Sequence, residues 1–572
     1  LIDARASDRS ETGADRPKNG SGMPSLSRKP LWLALAAGAL VPLSMQPWGV
    51  PWLLPVAFTV LAWSLKEASI GKALLLGWLF GLVVEAGGLP WIGTAVSRFL
   101  AIFVLEDPGS GIATAAGFGA FIMRWPLAAL GWGLCSASIM ICPNKLWVRA
   151  IWSGICFVVL ESYWPRIFRW TMGAAFATEE PSGGWLLLQW FGVEETLLLT
   201  VVAGFLAASC CDRGWPTKRR RLALLPALVL MVLPVIPLPD AQLSPLATED
   251  GGLDPLTVSI VQPAFPLELR HGREQAELQL KKIRSLIEIA SDAGGVAAPA
   301  LILLPEGILP QMWKAEWLQQ WSQDWLRRPA VIGLTHFEDP GFSNAVALLL
   351  PGYDSDRRQP IVDVQIGSKK VLLPFGETVP FGELLSSWGI EVPITQLVAG
   401  EEAVVFSADG SFPKLGISIC YEGILPDIAA ATIGRGARWH ANLTEDLWYG
   451  DWVEPAQHLQ LQRSRAIETG LIWLRSVNAG ISVAIDPRHR GRRLIVASRL
   501  WTGDRWSDWQ PTTNSGQLSL PAGNVGILQI QVVPDFSPRV GAPLSLPSSR
   551  PLLWIYCLLG LFWFNLKRFQ PA

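Results

Sequence analysis

Charge is what this chain has least of. Only 17% of its 572 residues are Asp, Glu, Lys or Arg, against roughly 25% in soluble domains, so part of the chain sits in something other than water. The formal net charge is −1, which removes any electrostatic case for nucleic acid as a partner. The five histidines are scattered and no metal-ligand spacing occurs, so neither a metal nor a diffusible cofactor is expected. Seven cysteines form no disulfide framework, because Cys135, Cys142, Cys156, Cys210, Cys211 and Cys557 all fall in or beside apolar runs. Internal repeats and long low-complexity tracts are absent. No cleavable signal peptide is expected either, since the first apolar run is followed at once by others.

What the chain does have is apolar surface. Hydrophobic residues make up 50% and tryptophans number 29, many of them at the ends of apolar runs, where an amphipathic ring suits the headgroup level of a bilayer. Apolar segments of about 20 residues read as membrane spans. Seven precede a long polar region: Pro30–Met45, Pro51–Leu65, Ala73–Ala95, Gly111–Ile141, Leu146–Trp164, Val193–Cys210 and Leu222–Leu238. An eighth, Pro551–Leu566, follows it within a C-terminal stretch 551–568. Residues 1–29 form a polar N-terminal tail in which Met23 is a candidate start. Basic residues cluster at Arg28/Lys29, Lys66/Lys72, Lys145/Arg149, Lys218–Arg221 and Lys567/Arg568. With eight spans all five clusters share one side, the cytoplasmic one, and the polar region faces away from the cytoplasm.

Residues 239–256 are Pro-, Asp- and Gly-rich and read as a linker. From 257 to 540, short apolar runs such as LTVSIVQ, NAVALLLP and KLGISIC alternate with helix-like stretches, including Arg273–Ala290 and Pro455–Thr469. This is the pattern of an α/β domain, and the near-continuous apolar strands predict sheets buried on both faces.

Within that domain Cys420 ends an apolar run in KLGISICYEG and is the sole cysteine. A small hydrophobe at a strand end is the plain alternative. A reactive thiol, with an ordinary pKa near 8.5, needs a base or a cation beside it. Candidates are Glu306 in LILLPEGILP and Lys369 in GSKKVLLPFGE, each at the end of an apolar run where a side chain can point into a crevice. Glu306 could take the thiol proton, and a lysine could hold an oxyanion.

Glu, Lys and Cys in that order resemble the catalytic set of the nitrilase superfamily. More closely, the chain resembles the apolipoprotein N-acyltransferase family, multi-spanning bacterial enzymes with a periplasmic nitrilase-like domain. The resemblance is carried by KALLLGWLFGLVVEAGGLPWIG, VQP, LLPEG, KKVLLPFGETVPFGE, GISICYEG, NLTEDLWYGD, QHLQLQRSRAIE and LRSVNAG. It implies an α-β-β-α sandwich joined to about eight spans, with Glu306 as general base, Lys369 as oxyanion-stabilising cation (Lys370 the fallback) and Cys420 as nucleophile. It further implies supporting roles for Glu377, Tyr421 and Glu422, and a site-lining loop with Trp448 and Gly450. The implied reaction moves a fatty acyl group from a phospholipid, phosphatidylethanolamine by family habit, through a Cys420 thioester to the N-terminal amine of a diacylglyceryl apolipoprotein in the inner membrane. Glu85, inside the third span, is either a packing anchor or part of a lipid access route. Departures from the family pattern are Pro263, Glu445, Leu447, Val477, Ala479 and the segment Tyr163–Thr178 with Arg166 and Arg169. They bear on acceptor and lipid choice, not on the triad. Two other functions fit the same residues: a membrane-tethered amidase using water, and a non-catalytic, conjugation-related role.

Overall fold

The computed structural model describes residues 28–533 apart from 108, 144, 211–216, 240–241, 244–254, 267–272, 293–297, 339–340, 357, 380–381, 383–386, 388–395, 409–410, 488–491 and 512–516. The C-terminal apolar stretch 551–568, most of the N-terminal tail and most of the linker therefore lie outside the described residues.

The N-terminal half is helical: α1 (Arg28–Ser44), α2 (Leu53–Leu65), α3 (Ile70–Gly88), α4 (Trp91–Phe99), α5 (Gly111–Ile141), α6 (Leu146–Tyr163), α7 (Gly183–Phe191), α8 (Val193–Cys210) and α9 (Thr217–Val232). Four of these, α3, α5, α6 and α8, are long and apolar enough to cross a membrane. The expected third segment, Ala73–Ala95, is not one helix. Pro90 has no N–H to give and disfavours helical backbone at Leu89, so α3 ends at Gly88 and α4 starts at Trp91. The seventh segment also differs: α9 begins earlier, at Thr217, and gives way at Leu233–Val235 to a tighter 3₁₀ turn containing Pro234. The short helix α7 was not expected. The Ser182 hydroxyl caps its start by accepting from the Gly184 N–H, and Gly192 at φ +88° ends it.

Glycines let these helices touch. A Cβ on Gly77 or Gly81 of α3 would fall 2.2 Å from the Ser136 hydroxyl or 2.4 Å from the Trp132 ring of α5, so only hydrogen fits there.

The C-terminal half holds two large sheets, beside a two-stranded pairing of Gln242–Leu243 with Arg492–Arg493. One runs Gln510–Pro511, Ile495–Trp501, Gly526–Val532, Leu256–Gln262, Leu301–Leu303, Ala330–Glu338, Gly341–Asp354 and Gln359–Ser368, with Met312–Trp313 pairing beside Ala330–Glu338. The other runs Gln517–Leu520, Ser482–Ile485, Trp473–Val477, Trp439–Thr444, Phe412–Ile419 and Val405–Ala408. Alternate side chains of each strand go to opposite faces. Val258, Ile260, Leu301 and Leu303 of the first sheet therefore share one core with Leu415, Ile417, Ala441 and Leu443 of the second. The outward residues Val261, Ile302 and Ile332 bury the helix Arg273–Ala290 through Ile283, Leu286 and Ile287. Trp473 and Val483 do the same for the helices Pro426–Gly434 and Val453–Thr469. The layers are α-β-β-α, and the expected burial of both sheet faces is observed, complete along Trp439–Thr444 and Trp473–Val477.

Candidate active site

The two sheets bring their strand ends together, and there the sequence-distant acid, amine and thiol meet. Cys420 follows the strand Phe412–Ile419 and opens a 3₁₀ turn, Cys420–Ile424. Its φ is +53°, a region costly for a residue with a Cβ, which persists only where surroundings enforce it. Two side chains do so. Asn442 Nδ2 donates to the Cys420 carbonyl at 3.0 Å. The Glu422 carboxylate, buried, accepts from the N–H groups of Ile419 (2.9 Å), Lys370 (2.8 Å) and Val371 (2.9 Å). Glu422 thus pins the thiol's turn to the lysine's loop. Gly423 has to be glycine, because a Cβ there would sit 2.5 Å from Gln462 Nε2 and 2.6 Å from Asn442 Nδ2.

Glu306 is set by a similarly close approach. The Gly333 N–H donates to Pro305 O at 3.1 Å, and a Cβ on Gly333 would lie 2.3 Å from that oxygen and 2.5 Å from Glu306 Cα. Gly333→Ala is expected to destabilise the fold by about 1–3 kcal/mol and to displace the carboxylate. Thermal denaturation together with turnover checks this; an alanine variant equal to wild type in both would contradict it.

Around Glu306 the polar groups interlock. Asn344 Nδ2 donates to Glu306 Oε1 at 2.7 Å and to Glu377 Oε1 at 2.6 Å. Lys369 Nζ lies 2.7 Å from Glu377 Oε2 and 3.9 Å from Glu306 Oε1, and its side chain is 1% exposed. The Leu373 N–H donates to Glu377 Oε2 at 2.8 Å, which explains the Lys-to-Glu spacing: the intervening turn folds Glu377 back onto Lys369. Lys370, the alternative lysine, points elsewhere, its Nζ donating to Glu401 O at 2.9 Å.

Electrostatics divide the roles. Burial pushes the Glu306 carboxyl above its ordinary range, and Lys369 draws it partly back. Burial alone would lower Lys369, but Glu377, then Cys420 and Glu306, more than reverse that, so the amine is held as a cation. The Cys420 thiol is pushed well up, first by burial and then by the Glu306 charge, against a smaller opposing pull from Lys369. A thiol so placed is neutral at neutral pH and has a carboxylate base at hand.

Residues 257–501 match the carbon–nitrogen hydrolase family. An apolipoprotein N-acyltransferase of Rhodopseudomonas palustris is 29% identical over 478 residues, covering 80% of this chain and 85% of its own. One from Methylococcus capsulatus is 28% identical over 534 residues, covering 87% and 95%. An amidase structure from Nesterenkonia sp. covers 50% of this chain and 93% of its own at 17% identity, with a TM-score of 0.30. The chain resembles the apolipoprotein N-acyltransferases. That likeness runs well past the hydrolase-type domain into the helices.

The acyltransferase-like domain is joined to those helices by the helix Val453–Thr469. Gln457 donates to Gly88 O (2.9 Å) and accepts from the Trp91 indole (3.0 Å), while Arg463 donates to Ala177 O (3.0 Å). Glu468 accepts from the Val193 N–H at 2.7 Å. Above the triad the Tyr421 ring rests 5.5 Å from Phe168, and Phe168 lies 5.0 Å from Trp91. The unusual segment carrying Arg166 and Arg169 therefore packs, through Phe168, against the turn that Cys420 opens. Arg169 stands close enough to Tyr421 to oppose the upward push of burial on its hydroxyl.

Trp448 and Gly450 flank Tyr449 in the turn Leu447–Tyr449, and Gly450 has φ +94°. Arg98 of α4 donates to Leu447 O. Tyr449, missed from sequence, is buried in this turn, and burial, then the charges of Cys420 and Glu454, raise its hydroxyl pKa. Its ring packs 5.2 Å from Trp91. Asn344 and Asn442 were missed too; each is an uncharged polar side chain within a strand. Glu85 is not part of this assembly. It accepts from Arg124 Nη1 at 3.0 Å and from the Trp132 indole at 3.2 Å, a tie between α3 and α5 that matches the packing-anchor reading.

Asp446, Glu454 and His458 are the one group among the described residues close enough to hold a metal ion. Arg475 Nη2 lies 2.5 Å from Asp446 Oδ2 and 3.3 Å from His458 Nδ1, so a guanidinium already supplies the positive charge there. The donor set does not fit a further cation.

Proposed function

We propose that the protein is an N-acyltransferase that moves a fatty acyl group from a membrane phospholipid to the N-terminal amine of a diacylglyceryl-cysteine apolipoprotein. The observation that carries this is the buried Glu306–Lys369–Cys420 constellation directly against the ends of apolar helices. Both substrates carry acyl chains, whose exposure to water costs about 0.8 kcal/mol per CH₂; a site at the helix ends meets them without that cost.

In the first half-reaction Glu306 takes the Cys420 proton as sulfur attacks the phospholipid ester carbonyl. The oxyanion forms beside Lys369 and the Tyr421 amide. Collapse breaks the C–O bond, Glu306 returns the proton to the leaving oxygen, and a lysophospholipid departs from a Cys420 thioester. In the second, the acceptor amine attacks the thioester, Glu306 takes the amine proton, and the C–S bond breaks to give the amide. The proton passes to sulfur and the thiol is regenerated. Phosphatidylethanolamine is the donor that the family likeness favours.

In this reading the helices form about eight spans, including 551–568, and the 257–540 domain faces the periplasm. Support comes from Lys66, Lys72, Lys145 and Arg149, which sit at the helix ends away from the catalytic domain, where basic loops belong on the cytoplasmic side.

Incubating the full chain with acyl-labelled phosphatidylethanolamine is expected to add one acyl mass to the intact protein, located on Cys420 and released by a diacylglyceryl peptide amine. Absence of the adduct with turnover of a small amide would favour the amidase. Full biological activity of Cys420→Ala would favour the non-catalytic role.

A further inference from the structure

A buried polar array lies against the turn that Cys420 opens. Ser418, Asn442 and Arg475 stand directly opposite one another across three neighbouring strands, so their side chains share one face of the sheet. All three are buried. Each nitrogen of the Arg475 guanidinium is committed: Nε donates to Ile481 O at 3.2 Å, Nη1 to Asn442 Oδ1 at 3.4 Å and Nη2 to Asp446 Oδ2 at 2.5 Å. Asp446 is itself buried, so the cation cannot swing away without leaving that carboxylate alone.

Arg475 decides which way the Asn442 amide points. A guanidinium has donors and no acceptor, so the Asn442 atom that faces it is oxygen. The same oxygen accepts from Gln462 Nε2 at 2.5 Å. Nitrogen is left for the other side, where Nδ2 meets Ser418 O at 3.1 Å, Ser418 Oγ at 3.0 Å and Cys420 O at 3.0 Å. Two of these are carbonyls, which only accept. Reversing the amide would set nitrogen against the guanidinium and oxygen against both carbonyls, leaving buried groups unpaired on each side.

The peptide that Asn442 grips is the one linking Cys420 to Tyr421. In a trans peptide the C=O and N–H point in opposite directions within one plane, so a donor fixed on the Cys420 carbonyl also fixes the heading of the Tyr421 N–H. With φ at +53°, Cys420 needs such a hold, because left-handed backbone is unfavourable for a residue with a Cβ. We propose that Asn442, its amide oriented by Arg475, is a positioning residue that aims the Tyr421 N–H at the developing oxyanion. The inference rests on the acyl transfer proposed above, in which that N–H serves as the backbone donor.

The test compares two reactions of one thiol. Acylation of Cys420 passes through an oxyanion, whereas alkylation by iodoacetamide forms the C–S bond as iodide leaves and develops none. Asn442→Leu keeps the branched shape and removes the donor. It is expected to slow acylation by about 10²-fold, the scale of one lost oxyanion donor, with KM little changed. Alkylation of Cys420, followed by peptide mass spectrometry, should stay within about threefold of wild type, since only the oxyanion step uses the N–H. Equal losses in both reactions would mean that Asn442 places the thiol instead, and would overturn the proposal, as would acylation at the wild-type rate. Should Asn442→Leu fail to fold, Arg475 decides. The amide of Arg475→Gln can offer Asn442 either atom, so acylation should fall by about tenfold with alkylation unchanged. Arg475→Lys, which can only donate, should recover most of that loss. Acylation in Arg475→Gln equal to wild type, or no better in Arg475→Lys than in Arg475→Gln, would overturn the orienting role.

A fatty aldehyde gives a readout independent of the acyl donor. The thiol adds across its C=O, sulfur bonding to carbon and the thiol proton passing to oxygen, and the adduct holds a tetrahedral oxygen with no leaving group. Asn442→Leu should weaken aldehyde binding by about the same 10²-fold. Equal aldehyde affinity in wild type and variant would overturn the proposal. Wild type that binds the aldehyde but takes no acyl group from phosphatidylethanolamine would refute the proposed reaction, and the aldehyde comparison would still decide the positioning role.

Discussion

Glu306→Gln is expected to slow acyl-enzyme formation by about 10³-fold, within the range by which a positioned general base contributes, while the protein still folds and inserts. The amide is nearly isosteric and can still accept from Asn344 Nδ2, which holds Oε1 at 2.7 Å in the native chain. What it cannot do is take a proton. The thiol gives this loss its size: burial and the neighbouring carboxylate hold Cys420 well above an ordinary thiol pKa, so no preformed thiolate exists to attack unaided. The pH profile supplies an independent readout. Because burial raises the Glu306 pKa, the wild-type rate should fall as pH drops through a value above the usual carboxylate range, and that acid limb should vanish in the variant. A variant within tenfold of wild type, or one with the limb intact, would remove Glu306 as the base.

The candidate site residues that the fold brings together were legible because each interrupts an apolar run. Cys420, Glu306 and Lys369 stand where a strand ends, and a strand buried on both faces has room for a polar group only at its edge. The supporting place of Glu377 beside Lys369 came from the resemblance, not from the residues themselves. Asn344 came from neither. It is an uncharged residue within a fourteen-residue strand, Gly341–Asp354, and its importance lies in contacting two carboxylates that come from elsewhere. Tyr449 hid for a similar reason: its ring packs on Trp91 of α4, a partner far away in the sequence. Hydropathy located α5 and α8 to the residue but ran through the break at Pro90, because it weighs side-chain transfer and is blind to a missing N–H. It passed over α7 because a nine-residue, mostly apolar stretch beside a longer apolar run carries no separate signal.

Lys369→Ala should damage both stability and turnover, for two reasons that pH separates. The amine is the only cation contacting both Glu377 (2.7 Å) and Glu306 (3.9 Å) among the described residues. Without it two carboxylates remain buried together with Asn344 bridging them. Breaking a buried ion pair from one side costs about 3–5 kcal/mol, and loss of oxyanion stabilisation takes a further toll on turnover, about 10²–10³-fold. The stability deficit has a definite sign with pH. In the variant the two carboxylates have no compensating cation, so at least one folded-state pKa rises above its unfolded value. A group shifted in that direction contributes stability below its unfolded pKa and loses that contribution as pH rises through the folded pKa. The melting temperature of Lys369→Ala should therefore approach that of wild type near pH 5 and fall well below it near pH 8. Turnover should stay low at both, since protonating Glu306 or Glu377 relieves the repulsion without restoring a cation for the oxyanion. Equal melting deficits at the two pH values would mean that Lys369 does not hold these carboxylates ionised. Wild-type turnover at either pH would mean that it does not serve the reaction.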